Sequence, residues 1–279
     1  MEAGHSRLRF GYPVGQARKR ERERVDGEIV SLTRNQGGLI PVRYAWLDSP
    51  LDQEDLKFSR SDYPFSMSFA KIFPFDGGRP LKKYIEWELR NMKSEAIGVE
   101  FGGIGVKAFQ GFSDKFFKRS LGVTLADHRD DYERAEQTLL SHTVLEGDIL
   151  SSVTYERLNE WLGGEKINLI IERMGKGLDA LPSDPHTLAK ILGIWYELLA
   201  KNGIMFVQVP VKCNPTLKTW VKKMKHITEE TIVMRHASTE RGNKDVGPTS
   251  AFFLKKTEQA PEQLPMLTRQ ELKDAYLGI

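Results

Sequence analysis

Hydrophobic and polar positions follow a regular pattern only after about residue 94. From there, short continuous apolar runs alternate with segments in which apolar residues recur every three or four positions. The runs predict buried strands and the periodic segments predict helices. The predicted strands are 96–101, 121–125, 143–145, 167–171, 204–209, 231–235 and 251–254.

Helix signals occupy the intervals between the predicted strands. A helix over about 80–93 has Pro80 at its first position, where no backbone N–H is needed. The next strong signal is Asp184 as N-cap with Pro185 in the first turn, and Gly203 ends the apolar stripe that follows. The other predicted helices are 129–141, 155–162, 215–226 and a short C-terminal helix whose capping box is Thr268 with Glu271.

This alternation predicts an α/β fold with a mostly parallel seven-stranded sheet and helices on both faces. We expect residues 94–257 to form this domain and residues 258–279 to form a C-terminal tail. Residues 1–93 are rich in Arg, Pro, Asp and aromatics, and we expect an irregular N-terminal extension that wraps the domain or lids a pocket. Ligands of such sheets bind outside the carboxyl ends of the strands, where the strand order switches.

Composition narrows the class of protein. With 279 residues, 40% of them hydrophobic and 28% charged, the chain has the balance of a soluble globular protein. Its only cysteine, Cys213, excludes an intrachain disulfide, and its six histidines lack metal-site spacing. Charged and polar residues interrupt the longest apolar stretch, 191–211, so it predicts no membrane span. No export signal is visible, and we expect a cytoplasmic location.

A glycine-rich turn directly follows the first predicted strand, in the sequence Gly98-Val-Glu-Phe-Gly-Gly-Ile-Gly105. Glycines let the chain turn sharply and let a ligand approach the main chain, although a tight turn alone also needs them. Glu100 stands just before the glycines and would repel a pyrophosphate. It therefore favours a ligand with a positive charge or hydroxyl donors over a dinucleotide, and the spacing also departs from G-x-G-x-x-G.

Carboxylates also follow the second and third predicted strands. Asp127 at the second strand end can accept hydrogen bonds from ribose hydroxyls. It can equally be the N-cap of the next helix, a role that Asp130 also fits. Asp148 after the third strand can accept an adenine amino proton while Ile149 packs on the ring. Acids at three successive strand ends are more informative than any one of them.

Four segments, VEFGGIG, VTLADHR, EGDIL and LLAKNGIMFVQVP, together resemble the class I, Rossmann-like S-adenosylmethionine-dependent methyltransferases. The resemblance covers roughly residues 94–257 and implies S-adenosylmethionine as the cofactor. It also implies methyl transfer to an acceptor that the sequence does not identify, a small molecule or a polymer end-group. The resemblance implies that Glu100, Gly102 and Gly103 surround the methionine part of the cofactor, that Asp127 holds the ribose, and that Asp148 with Ile149 holds the adenine. It also implies cofactor binding by Phe101 and Gly105 in the same turn.

The fourth predicted strand is followed by Glu172 and Arg173. In this family the acceptor atom usually lies near this strand end, so Glu172 is the candidate general base. A salt bridge of Glu172 with Arg173 or a nearby lysine is the other interpretation. Lys212, Cys213 and His236 lie near later strand ends, and we favour surface or packing roles for them over lining a pocket.

Two other functions stay open. A catalytically degenerate protein of this fold would bind a nucleoside-like ligand or a partner without turnover. An RNA-binding or RNA-modifying protein would use the N-terminal arm, where residues 1–24 hold seven Arg and Lys against three Glu. Such an arm can contact the phosphates of a nucleic acid, although a solvated tail is the interpretation that we favour.

Overall fold

The computed structural model describes residues 81–90, 95–109, 112, 116–124, 127, 141–173, 181, 185–209, 214–243 and 247–265. The strands are β1 Ala96–Phe101, β2 Phe117–Thr124, β3 His142–Glu146, β4 Ile167–Glu172, β5 Leu199–Val209, β6 Ile232–Asn243 and β7 Gly247–Lys256. The helices are α1 Leu81–Leu89, α2 Val106–Phe109, α3 Ser152–Leu162, α4 Pro185–Leu198 and α5 Asn214–Ile227.

Several sequence predictions lie outside the described residues. They are the extension before residue 81, including its basic arm, most of the helix at 129–141, the C-terminal helix, and the residues Asp130, Asp184, Lys212 and Cys213.

The described strands form one sheet in the order β3-β2-β1-β4-β5-β7-β6. Neighbouring strands from β3 to β5 are parallel, and β7 is antiparallel to both β5 and β6. This is the Rossmann-like methyltransferase fold, so the predicted fold class is confirmed. The chain builds the sheet from β1 to β3 on one side and then returns to β4 on the other. The switch in strand order therefore lies between β1 and β4.

Alternating side chains of the strands bury two apolar layers, one on each face of the sheet. Helices α3, α4 and α5 cover the larger layer, to which β1 contributes Ile97, Val99 and Phe101. Helices α1 and α2 cover the smaller layer. Glu100 belongs to the second face, because strand neighbours point to opposite sides.

Helix α4 ends earlier than its apolar stripe predicts. The prediction that Gly203 ends this helix is wrong, because the chain enters β5 at Leu199, which pairs with Ile167 of β4. Asn202 takes a left-handed conformation with φ of 62° just before the regular part of the strand. At Gly203 a Cβ would come within 2.8 Å of the Ala200 carbonyl oxygen, so glycine serves a close approach within the strand.

Strands β2, β6 and β7 are longer than their apolar runs. The first three residues of β2 are partly exposed, and the apolar run begins only at Leu121. Arg119 in this polar half donates to the carbonyl oxygens of Trp161 and Leu162 at the end of α3, each at 2.7 Å. Polar strand residues with such partners carry no hydrophobic signal, which is why the sequence predicted a shorter strand.

Candidate functional site

The carboxyl ends of β1 and β4 are joined by a buried ion pair. Nε of Arg173, the first residue after β4, donates to Oε1 of Glu100 at 2.6 Å, and the two side chains are 1% and 2% exposed. The backbone N–H of Gly105 donates to the other oxygen, Oε2, at 2.8 Å. The Glu100 carboxylate thus connects β1, the glycine-rich turn and β4 at the switch in strand order.

The glycine-rich turn lies tightly against β2. The amides of Gly102 and Gly103 both donate to the carbonyl oxygen of Val123, at 2.9 and 3.1 Å. Gly102 has a left-handed φ of 77°, which favours glycine. A Cβ on Gly103 would lie 2.8 Å from Oε2 of Glu100. The tight turn therefore accounts for these glycines, and their contact with a ligand stays a prediction.

Two residues of the neighbouring strands hold the turn from below. The Ile104 carbonyl lies directly over Gly122 of β2, where a Cβ would come within 2.2 Å of it. Nε2 of His142, the first residue of β3, is 2.7 Å from the same carbonyl oxygen, and Nδ1 is 2.7 Å from the Ser120 hydroxyl oxygen. Because a carbonyl only accepts, Nε2 donates to it. The hydrogen bond from His142 and the absence of a side chain at Gly122 together set the distance between the turn and the sheet.

The predicted nucleoside-binding acids lie at the ends of β2 and β3. The amide of Asp127 donates to Oε1 of Glu146, the last residue of β3, at 2.8 Å. Oδ1 of Asp148 accepts from the amide of Leu150 at 2.8 Å, which closes a turn after β3. The Ile149 side chain is buried in the larger apolar layer. Asp127 and the turn that holds Asp148 therefore share the carboxyl edge of the sheet.

Phe101 and Glu172 occupy one row of the sheet, on the face opposite Glu100. The Phe101 ring is fully buried and stacks on Trp195 of α4, with centroids 4.4 Å apart. Glu172, the last residue of β4, is 0% exposed. The sequence offered Arg173 as a salt-bridge partner of Glu172, but consecutive residues point to opposite faces, and Arg173 pairs with Glu100.

A second polar cluster lies further along the sheet. Nε2 of His236 on β6 is 3.1 Å from Oδ1 of Asn214, the first residue of α5, and 3.3 Å from the Ser250 hydroxyl oxygen on β7. Ser250 also donates to Asn214. Burial lowers the pKa of the His236 imidazole, and the positive charge of Lys218 lowers it further. Strands β5 and β7 separate His236 from Glu172, so this cluster is distinct from the edge of β1 and β4.

Three residues that contact the glycine-rich turn or the strand ends were not assigned to the site from the sequence, namely His142, Glu146 and the Glu100 partner Arg173. Each contacts a residue at least 19 positions away. Only the strand order brings these partners together. The one signal in the sequence for the pairing of Glu100 with Arg173 was their opposite charge at the ends of two strands that are neighbours in this fold. Among the described residues, no group of three or more His, Cys, Asp or Glu side chains is placed to hold a metal ion.

Comparison with known proteins gives structural similarity at low identity. No protein-family model and no curated protein matches the chain. An rRNA methylase from Streptococcus thermophilus is similar over 64% of this chain and 98% of its own, with 12% identity and a TM-score of 0.41. A putative methyltransferase from Streptococcus mutans in complex with SAH covers the same shares, with 14% identity and a TM-score of 0.43.

The N-methyltransferase NodS from Bradyrhizobium japonicum is similar over 63% of this chain and 94% of its own, with 14% identity and a TM-score of 0.39. Because the identities and the TM-scores are low, we draw no conclusion about the site of this chain from these similarities. The fold of this chain follows from its own strand order.

Proposed function

We propose that this protein is an S-adenosylmethionine-dependent methyltransferase whose acceptor is a small molecule or a polymer end-group. The observation that carries the proposal is the set of carboxylates at the carboxyl ends of the first three strands. Glu100, Asp127 and Asp148 all lie at the carboxyl edge of the sheet, where this class of sheet binds ligands, and Glu100 lies at the switch in strand order between β1 and β4. An adenosine with an attached amino acid has hydroxyl, amino and ammonium groups that donate hydrogen bonds, and carboxylates accept such hydrogen bonds.

Each part of this cofactor has a candidate partner among the residues at the strand ends. Asp127 would accept from the ribose hydroxyls, and Glu146 helps to position it by accepting from its amide. Asp148 would accept from the adenine amino group. Gly102 and Gly103 have no side chains to keep a ligand from the main chain. When bound, the cofactor would supply the methyl group of its sulfonium centre for a direct displacement in which S-adenosylhomocysteine is the leaving group.

Apart from binding the cofactor, the protein must align the acceptor with the methyl group and remove the proton of the acceptor. Glu172 ends β4 next to Arg173, so its carboxylate lies beside the switch in strand order. We propose that Glu172 takes the proton that an oxygen or nitrogen acceptor loses on methylation.

Replacing Glu172 with glutamine is expected to lower the rate of methyl transfer by about 10²- to 10⁴-fold, the usual contribution of a general base. The affinity for S-adenosylhomocysteine should stay unchanged. The measurement is transfer from labelled S-adenosylmethionine to an acceptor found by screening, with Glu156→Gln on the exposed side of α3 as the control. Loss of rate and of affinity together would argue for a structural role of Glu172.

Calorimetric titration with S-adenosylmethionine and S-adenosylhomocysteine tests the proposed function itself. We expect micromolar binding of both by the native protein. The Asp127→Ala substitution should weaken it by about 10- to 100-fold, the scale of a lost hydrogen bond to a charged group. Glu156→Ala should leave affinity unchanged. A folded native protein that binds neither compound would contradict the proposal.

The cellular setting is also a proposal. We place the protein in the cytoplasm because a lone cysteine, Cys213, is typical of reducing compartments. None of the helices in the described part of the chain has the length and apolar character that a membrane crossing requires. Nucleic-acid binding through residues 1–24 stays the alternative to a solvated tail.

A further inference from the structure

Helix α5 concentrates positive charge in a way that the composition of the chain does not explain. Its 14 residues include four lysines and no acidic residue, whereas the whole chain has 41 Lys and Arg against 38 Asp and Glu. Three of these lysines, Lys218, Lys222 and Lys225, are four and three positions apart, so they lie on one face of the helix. Lys218 and Lys222 are exposed, and Lys225 is partly exposed. We call these three residues the lysine stripe.

The lysine stripe lacks the acidic partners that lysines elsewhere in the protein have. The ammonium groups of Lys118, Lys201 and Lys255 each lie within 3.1 Å of a glutamate oxygen. Within the described ranges of the chain, no carboxylate forms an ion pair with a lysine of the stripe. Like charges one turn apart repel each other and weaken a helix. A negatively charged partner would remove this repulsion.

The position of α5 leads the stripe toward the edge of the sheet where ligands of this fold bind. The helix begins at Asn214, shortly after the carboxyl end of β5, and Lys218 follows about one turn later. At a rise of about 1.5 Å per residue, the stripe is about 10 Å long. A strand of nucleic acid carries one charge for about every 3.4 Å of helix axis. The stripe is therefore long enough to contact several successive phosphates.

The inner face of α5 decides which polyanion fits the outer face. Its apolar residues Leu217, Trp220 and Met224 are buried in the larger apolar layer, so they are not free to enter a membrane, as an interfacial helix requires. The lysines stand in a row on a convex surface, which suits a chain of regularly spaced charges. We propose that the lysine stripe binds the phosphate backbone of a nucleic acid. This inference goes beyond the proposed function, because it does not require cofactor binding.

Fluorescence anisotropy of a labelled single-stranded RNA of about 20 nucleotides, titrated with the full chain at several salt concentrations, tests the proposal. We expect the native protein to bind this RNA at low salt. Replacing all three lysines of the stripe with glutamine should weaken binding about 10-fold or more. It should also lower the slope of log K against log salt concentration by about two, since each phosphate contact on a single strand contributes about 0.7.

A matched control removes the same charge from other parts of the surface. Lys83, Lys118 and Lys166 are exposed and lie outside α5, and replacing these three with glutamine should keep the native affinity and slope. Circular dichroism checks that both variants fold. If the stripe variant does not fold, the double variant Lys218→Gln with Lys222→Gln replaces it and is judged by the same comparison.

Three results would overturn the inference. The first is a native protein that does not bind the RNA at low salt, including one whose stripe binds only vesicles that contain phosphatidylserine. The second is native affinity in the stripe variant, because the basic arm at residues 1–24 or another surface then binds the RNA. The third is an equal loss in the stripe variant and the control, since net charge alone then accounts for binding. Titration with S-adenosylhomocysteine is a separate test, so failure of the proposed function is recognised independently.

Discussion

Replacing Glu100 with alanine is expected to lower the free energy of unfolding by about 3–5 kcal/mol, the usual loss when one partner of a buried ion pair is removed. The substitution leaves the Arg173 guanidinium buried without its carboxylate, and it removes the acceptor of the Gly105 amide. Since a whole domain is stable by only about 5–15 kcal/mol, such a variant would be marginal.

Urea denaturation followed by circular dichroism measures this loss. The control is Glu165→Ala, because Glu165 forms ion pairs with Lys118 and Arg119 but is 44% exposed. Exposed pairs contribute little, so this variant should unfold close to the native midpoint. If the two variants lose equally little, the Glu100 carboxylate does not connect β1, the glycine-rich turn and β4 in the way described.

Replacing Gly122 with alanine should also destabilise the protein, by crowding instead of loss of charge. The added Cβ would lie 2.2 Å from the Ile104 carbonyl carbon and oxygen, and these backbone atoms cannot rotate away. Overpacking of this kind costs about 1–3 kcal/mol or more. The turn must also rise from the sheet, so binding of S-adenosylhomocysteine should weaken together with stability.

A matched control for the Gly122 variant exists in α4. Apart from the backbone of its own helix and its chain neighbours, Gly193 has no heavy atom within 4 Å of an added Cβ, and it lies in the interior of α4. Gly193→Ala should therefore stabilise the protein by about 0.5–1 kcal/mol through the better helix propensity of alanine. Thermal unfolding and titration of both variants check the pair. Equal stability of the two variants would show that the turn does not lie on Gly122 as described.

The regular parts of the fold were predictable because buried strands and helices have characteristic patterns of apolar residues in the sequence. The bounds of β1, Ala96–Phe101, agree with the apolar run that ends at glycines. The end of α4 was not predictable, since the apolar stripe continues through Leu199 although that residue pairs with β4. Local periodicity does not distinguish a helix from a buried strand when pairing with a distant strand decides.

The candidate site divides in the same way. The acids Glu100, Asp127 and Asp148 could be proposed from the sequence, because each lies at or shortly after the end of a predicted strand. The partner of Glu100 could not, since Arg173 lies 73 residues away and becomes its neighbour only through the order of β1 and β4. Glu172 and Arg173 are adjacent in the chain but point to opposite faces of the sheet, so their side chains have different neighbours.

Hydrogen exchange of the native protein with and without S-adenosylhomocysteine, followed by mass spectrometry, tests the location of the site most directly. The ligand should slow exchange in peptides covering residues 98–105 and 142–150, the turn after β1 and the end of β3. Peptides from α5, residues 214–227, should exchange as before. Slower exchange confined to α5 and the His236 cluster, or none anywhere despite measured binding, would contradict a cofactor site at the carboxyl edge of β1, β2 and β3.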